Sequence, residues 1–370
     1  MIKPKQLNKG DKIAIVSLSS GILGEFNVRH QLELGIKRLE ELGLEPVFMP
    51  NSLKGLDFVK NNPSKRADDL RLAFENPTIK GIICAIGGDD TYKTIPYLMN
   101  EEFKSLVLSN PKVFIGFLDS TNNHLMLNQL GLVTYYGLNF LSDLCELQKE
   151  MIPYTLNSYK RLFINDEQFE IKSSPKWYLN RTNYGVDQLF VPLNELDENK
   201  GHEFLNGSGV IEGVFWGGCL ESIYDFYTSE RYQDQRNIYD QYGLIPNKDF
   251  FTDKIIFLET SEEKPTPEKL QCMLYFLIEV GVVRNVRCLL FGKPYDEVYY
   301  QEYKEVLLKI SNDFGLPIVY NLNFGHSLPR TIIPYGIKGK VDFDKKSISV
   351  NERMFEWWSI SITLYSTNKL

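Results

Sequence analysis

GIICAIGGDD, residues 81–90, decides the fold: a run of apolar residues without polar alternation leads straight into two glycines and two aspartates. An apolar run of that length, closed by glycine, reads as a strand buried on both faces, as in a parallel sheet. The segments around it repeat the theme. KIAIVSLS (12–19), EPVFMP (45–50), KVFIGFLD (112–119) and LVTYYG (132–137) are further strand candidates. Helical periodicity fills the intervals at 25–44, at 64–76 with Ser64 as the expected N-cap, at about 91–99 and at about 121–130. This alternation predicts a doubly wound α/β domain over residues 1–150, with helices on both faces of a parallel sheet. In such sheets ligands bind beyond the carboxyl ends of the strands, which is where GGDD and FLDST fall.

Past this domain the pattern weakens. Residues 151–207 are polar and aromatic (SSPKWYLNRTNYG, LNELDENKGHEF) and predict a linking excursion that covers a site. From 208 to 370 strands return: GVIEGVFWGG, KIIFLET, VRCLLFG, LPIVYN, TIIPYGIKGKVDFD and SISVNE. Helical patterns interrupt them after Gly218 and from Thr266. The expectation is a β-rich C-terminal domain, either a mixed sheet or a partial barrel. The aromatic tail MFEWWSISITLYSTNKL has no assigned role.

Composition narrows the function classes. The 370 residues are 43% hydrophobic and 24% charged, values of a globular chain. A net charge of −7 argues against general nucleic-acid binding, which shows as a basic excess. No run reaches the roughly 18 apolar residues that span a bilayer. The opening MIKPKQLNKGDKIAIVSLSS reads as a first strand rather than a secretory leader. Cys84, Cys145, Cys219, Cys272 and Cys288 are scattered without a CxxC pair, so reduced thiols are expected and a zinc site is not. The expectations are a cytoplasmic protein with no membrane or nucleic-acid partner, no metal and no cofactor.

Four short segments could carry chemistry. Gly87-Gly88-Asp89-Asp90 opens a helix after a buried strand, so backbone N–H groups can approach a ligand. It is not GxGxxG, and its aspartates would repel a phosphate, which disfavours a dinucleotide. Gly116-Phe117-Leu118-Asp119-Ser120-Thr121 has the shape of a nucleophile elbow, in which the central residue projects from a strained strand-to-helix turn. That residue is Leu118, which has no lone pair. Ser120 lies two residues on, where the first helical turn points it elsewhere. Glu259 ends the strand IIFLE, and His326 sits in the glycine-flanked loop NFGHS. A carboxylate there can orient a histidine as a triad acid does. Read alone, each segment fits an ordinary turn, core or surface position better than a catalytic one.

Their order, GGDD then GFLDST then FLE then FGH, resembles the LD-carboxypeptidase and microcin-immunity family of serine peptidases. The resemblance extends through LNKGDKIAIVSLSSG, SKRADDLRLAFENPTIKGIICAIGGDD, GLVTYYG, GVIEGVFWGGCLESI and GHSLPRTIIPYG. It implies an N-terminal parallel α/β domain, a C-terminal β-rich domain and a Ser-Glu-His triad between them. Carried over, Glu259 orients His326, His326 is the general base, and the N–H groups of Gly88 and Asp119 form the oxyanion hole. Asp89 becomes a substrate-binding residue. The long polar excursion is similar to the microcin-immunity branch, in which an aromatic residue stacks on a nucleotide base, and Trp177 is the candidate. The resemblance also implies a small peptide or aminoacyl-nucleotide ligand and a homodimer.

The departure lies at the centre, where the family's serine is Leu118. Two readings follow: an amide hydrolase whose chain is inactive or impaired, or a non-catalytic relative that binds such ligands as a sensor or sink.

Overall fold

Five parallel strands build the first sheet: β1 (Lys12–Val16), β2 (Glu45–Phe48), β3 (Ile79–Cys84), β4 (Val113–Gly116) and β5 (Thr134–Tyr136). These are the five apolar runs, and their residues are almost wholly buried apart from β2 at the edge. The computed structural model describes residues 1–356, so most of the aromatic tail lies outside the described residues.

The remaining strands are β6 (Phe169–Glu170), β7 (Lys176–Tyr178), β8 (Glu195–Asp197), β9 (Glu203–Leu205), β10 (Val210–Cys219), β11 (Lys254–Glu259), β12 (Cys288–Gly292), β13 (Ile318–Leu322), β14 (Ile333–Tyr335), β15 (Lys338–Asp342) and β16 (Ser347–Val350). The first sheet has the order β14-β5-β4-β3-β1-β2, and the second is β6-β16-β15-β10-β11-β12-β13-β9. The second sheet is therefore mixed, with β10 to β13 parallel and antiparallel strands on both flanks. Among the described residues its two end strands do not pair with each other, so the sheet is not a closed barrel.

Several expectations need correction. The helix at Pro63–Glu75 starts at proline after Asn62, so Ser64 lies inside its first turn and is not the cap. Proline already has the φ a first helical position needs. The C-terminal domain holds more helix than its strand pattern suggests. Besides Leu220–Thr228 and Pro267–Glu279 it contains Gln235–Gln241 and Tyr300–Phe314. The last buries Tyr303, Leu307, Ile310 and Ser311, one stripe of a 3.6-residue period, and stops at Gly315 with φ 63°. Such helices are what parallel strands β10 to β13 require to cross over.

One connection matters most for the site. After the loop that carries His326, the chain returns to the first sheet. There β14 pairs antiparallel with β5, placing Ile333 opposite Tyr136. One apolar cluster then runs from Ile15 and Ile83 in the first sheet to Phe257 and Leu290 in the second. Among the described residues no helix is long and apolar enough to cross a membrane.

Candidate active site

The site is assembled where β4, β11 and the loop after β13 converge. β4 ends at Gly116, Phe117 is extended, and Leu118 turns into the left-handed region at φ 63°. A short 3₁₀ turn over Leu118–Ser120 then feeds the helix Thr121–Gln129. Left-handed backbone on a branched residue costs about 1–3 kcal/mol and persists only where the surroundings enforce it. Here Thr121 Oγ1 donates to the Leu118 carbonyl at 2.6 Å, and the Leu118 N–H donates to the Tyr136 hydroxyl at 3.2 Å. The isobutyl group lies against Gly87, where an added Cβ would come within 2.5 Å of Leu118 Cδ2. The elbow shape is therefore present, with a side chain that cannot attack a carbonyl.

Facing it is a hydrogen-bonded pair. Glu259, fully buried at the end of β11, accepts from His326 Nδ1 at 2.7 Å and from the His326 backbone N–H at 3.2 Å. Close approach is possible because residue 325 is glycine: with φ 83°, a Cβ there would stand 2.4 Å from Glu259 Oε2. Tyr136 links the pair to the elbow by donating to Glu259 Oε1 at 2.7 Å while accepting from Leu118 N–H. Burial, reinforced by the Glu259 charge, pushes the Tyr136 phenol well above its ordinary range, so it remains a donor. The His326 ring also meets Phe117 edge-on, with centroids 5.1 Å apart.

The other face of the imidazole is occupied. Glu262 Oε2 stands 3.0 Å from His326 Nε2, near enough for an ion pair although not aligned as a hydrogen bond. Burial works to lower the His326 pKa, but Glu259 and Glu262 together overcome it and raise it to about 10. The ion pair with His326 in turn holds the half-exposed Glu262 down to about 2. With an ordinary value of 6.5, the stability contributed by charged His326 is fully present below that pH. It is lost as pH rises through about 10. Nitrogen NMR of the ring should accordingly show an imidazolium through pH 8, with a lower midpoint in Glu262→Gln. A midpoint near 6.5 in the unmodified chain would contradict the two-carboxylate clamp.

Gly88 and Asp119 both border a small recess beside Leu118. Asp119 is buried, accepting from Ser19 Oγ at 2.5 Å and Thr91 N–H at 2.8 Å, and burial raises it to about 6. Asp89 accepts from the Tyr232 hydroxyl at 2.9 Å on the same side. Leu118 also borders a cavity of about 550 Å³, lined among others by Phe117, Tyr184, Tyr295, His326 and Arg330. That volume is typical of small-molecule sites.

Trp177 is not brought to this cavity. It is 8% exposed on β7, with Lys293 Nζ 4.9 Å from its ring centroid, covering a fully buried ammonium that Glu198 and Glu297 neutralise. The aromatic side chain of the excursion that does border the cavity is Tyr184, seven residues on. Tyr136, Glu262 and Arg330 are the other functional candidates that sequence reasoning passed over. The segments GLVTYYG and FLETSEE contain the first two, but nothing local distinguishes them from their neighbours.

Comparison with known proteins identifies the family and the fold. Residues 13–137 match the LD-carboxypeptidase N-terminal domain and residues 212–341 the LD-carboxypeptidase C-terminal domain. The crystal structure of an MccF-like protein from Streptococcus pneumoniae in complex with AMP is similar at a TM-score of 0.87 and 46% identity, covering 94% of this chain and 99% of that one. The Escherichia coli microcin C7 self-immunity protein MccF is 25% identical over 362 residues, 93% of this chain and 94% of its own. MccF in complex with aspartyl sulfamoyl adenosine shares the fold at a TM-score of 0.80 and 22% identity, covering 96% and 100% of the two chains.

Proposed function

The chain belongs to the LD-carboxypeptidase family of serine peptidases, and from that premise we propose that it binds an aminoacyl-nucleotide amide and, as it stands, does not cleave it. The observation that carries this reading is Leu118 at φ 63° on an otherwise assembled elbow. Attack on an amide needs an oxygen or sulfur lone pair at the elbow, and leucine offers only methyl groups in the space the scissile carbonyl would enter. The base is compromised as well, because a His326 held as imidazolium cannot accept a proton. Ser120 does not replace the missing group: it is buried, and its side chain lies by Gly116, whose added Cβ would stand 2.7 Å from Ser120 Oγ.

Binding is supported by what remains. Gly88 and Asp119 N–H groups are the expected donors to the ligand carbonyl, as the resemblance assigns them. The cavity offers Tyr184 and Tyr295 as flat faces for a base. Two similar proteins hold nucleotide ligands, AMP in one and aspartyl sulfamoyl adenosine in the other. A cell-wall peptide has no aromatic ring to stack on these faces, so the nucleotide reading fits the cavity better.

Calorimetry tests the reading directly. AMP and aspartyl sulfamoyl adenosine should bind the unmodified chain, and Tyr184→Ala should weaken both by about 1–3 kcal/mol, the worth of one stacked base. Trp177→Ala should leave affinity nearer the original. An L,D-tetrapeptide that binds while both nucleotides do not would overturn the choice of ligand.

A further inference from the structure

Tyr184 and Tyr295 border the cavity from two separate segments. Tyr184 lies in the loop 179–194 that joins β7 to β8, a two-stranded hairpin outside both main sheets. Tyr295 lies in the turn 293–299 that follows β12. A hairpin of two strands has little stability of its own, so its loop keeps one position only if something else fixes it.

Lys293 is where the two segments meet. Its N–H donates to the Leu322 carbonyl at 2.8 Å, tying the turn to the end of β13. Its side chain is fully buried, with Nζ 2.9 Å from Glu198, itself 2% exposed just past β8, and 2.5 Å from Glu297 in its own turn. Trp177 of β7 covers the ammonium with its ring, while the two carboxylates hold it. A second tie follows directly after Tyr295. There Asp296 Oδ1 accepts from the Asn180 N–H at 2.9 Å and from Asn180 Nδ2 at 3.0 Å. Tyr295 is thus bracketed by the two ties, and Tyr184 lies just past Asn180.

The turn is held against its own preference. Asp296, Glu297 and Tyr299 sit at φ 53°, 55° and 59°, left-handed backbone that side chains rarely adopt. Strain of this kind persists only where the surroundings enforce it, and it concentrates at ligand clamps. The buried ion pair points the same way. It gains little stability over packed hydrocarbon of the same volume, but it fixes which groups face each other.

We infer that Lys293 is a positioning residue for the ligand: through Glu198 and Glu297 it locks the Trp177 hairpin to the turn, so that Tyr184 and Tyr295 stand in place on the cavity wall before a ligand arrives. The inference rests on the proposed function for the identity of that ligand. Ordering the two rings in advance removes a loop-ordering cost that binding would otherwise meet.

The test uses the full chain. Glu198→Gln/Lys293→Met removes the pair without stranding a charge, since Glu297 keeps Lys200 at 3.0 Å. AMP affinity in calorimetry should fall at least about tenfold, the size of one stacked base. General destabilisation could weaken AMP as well, so the deciding measurement is a double-mutant cycle with Tyr184→Ala. If Lys293 acts by placing Tyr184, adding Tyr184→Ala to the Glu198→Gln/Lys293→Met protein should cost less than about twofold more. Losses that simply add, or an AMP affinity that survives removal of the pair, overturn the inference. Should the double variant not fold, Glu198→Gln alone, which leaves Lys293 paired with Glu297, enters the same cycle with the same expected outcome. If neither AMP nor aspartyl sulfamoyl adenosine binds the unmodified chain, the nucleotide reading fails, and hydrogen exchange decides the inference by itself. The Asn180 N–H should then exchange at least about tenfold faster in the variant while the amides of Ile82–Cys84 keep their protection. Unchanged protection at Asn180, or equal acceleration in the first sheet, overturns it.

Discussion

Leu118→Ser is expected to convert a chain with no measurable amide hydrolysis into one that releases the amino acid from an aminoacyl sulfamoyl adenosine. The expected gain is at least about 10³-fold over the unmodified chain, part of the roughly 10⁶-fold that a triad serine is worth elsewhere. The backbone is already at φ 63°, so serine enters the elbow without new rearrangement. The rate should rise with pH rather than plateau near neutrality. His326, raised to about 10 by Glu259 and Glu262, is mostly protonated at pH 7, and only the neutral ring accepts the serine proton. Adding Glu262→Gln removes one of the two carboxylates, so the pH limb should move down and the rate at pH 7 should rise about tenfold or more. Adding His326→Ala instead should abolish the gain. Chromatographic assay of the released amino acid from pH 7 to 10 reads all three variants. A folded, ligand-binding Leu118→Ser protein that stays silent over that range would leave only the binding role.

The second large effect concerns Arg330, which is 4% exposed and holds the His326 loop in place. Its Nε donates to the Gly325 carbonyl and its Nη2 to the His326 carbonyl at 3.1 Å, while Nη1 pairs with Asp143 at 2.9 Å. Its guanidinium carbon also stands 4.8 Å from the Phe117 ring centroid. Arg330→Ala is expected to destabilise the fold by about 3–5 kcal/mol in urea unfolding at pH 7, because it strands the Asp143 carboxylate in the interior. Burial already raises the Asp143 pKa against the pull of Arg330. Without the arginine it should rise further above its ordinary 3.8. A folded value above the unfolded one means the protonated form carries the stability. The deficit of Arg330→Ala should therefore shrink as pH falls toward 4 and be largest near neutrality. Arg330→Ala/Asp143→Asn should recover part of the loss. A loss below about 1 kcal/mol at pH 7 would show that the pair is not integral to the fold.

Much of the architecture was legible because local patterns suffice for it. The runs containing Ile13–Val16, Ile82–Cys84 and Val113–Ile115 are apolar on both faces, and only a covered parallel sheet accommodates that. The helix at Tyr300–Phe314 is harder to read from sequence although its stripe is regular, because its glutamates and lysines dilute the apolar signal. The return of β14 to the first sheet was not legible either. Three residues, Ile333–Tyr335, carry no mark that says which of two sheets they join.

For the site, local sequence marks the elbow with leucine at its centre, the carboxylate at the end of IIFLE and the histidine in NFGHS. Each depends on a residue type at the end of a strand, which is a local property. What those groups face depends on long-range packing. Sheet register sets Cys219 beside Glu259, and β14 draws the His326 loop toward Tyr136. Glu262 meets His326 across 63 intervening positions, and Tyr184 rather than Trp177 reaches the cavity because Trp177 is committed to covering Lys293. Protonation follows from that packing: an imidazole is a base or a fixed cation according to which carboxylates stand within about 3–4 Å of it in a dry interior.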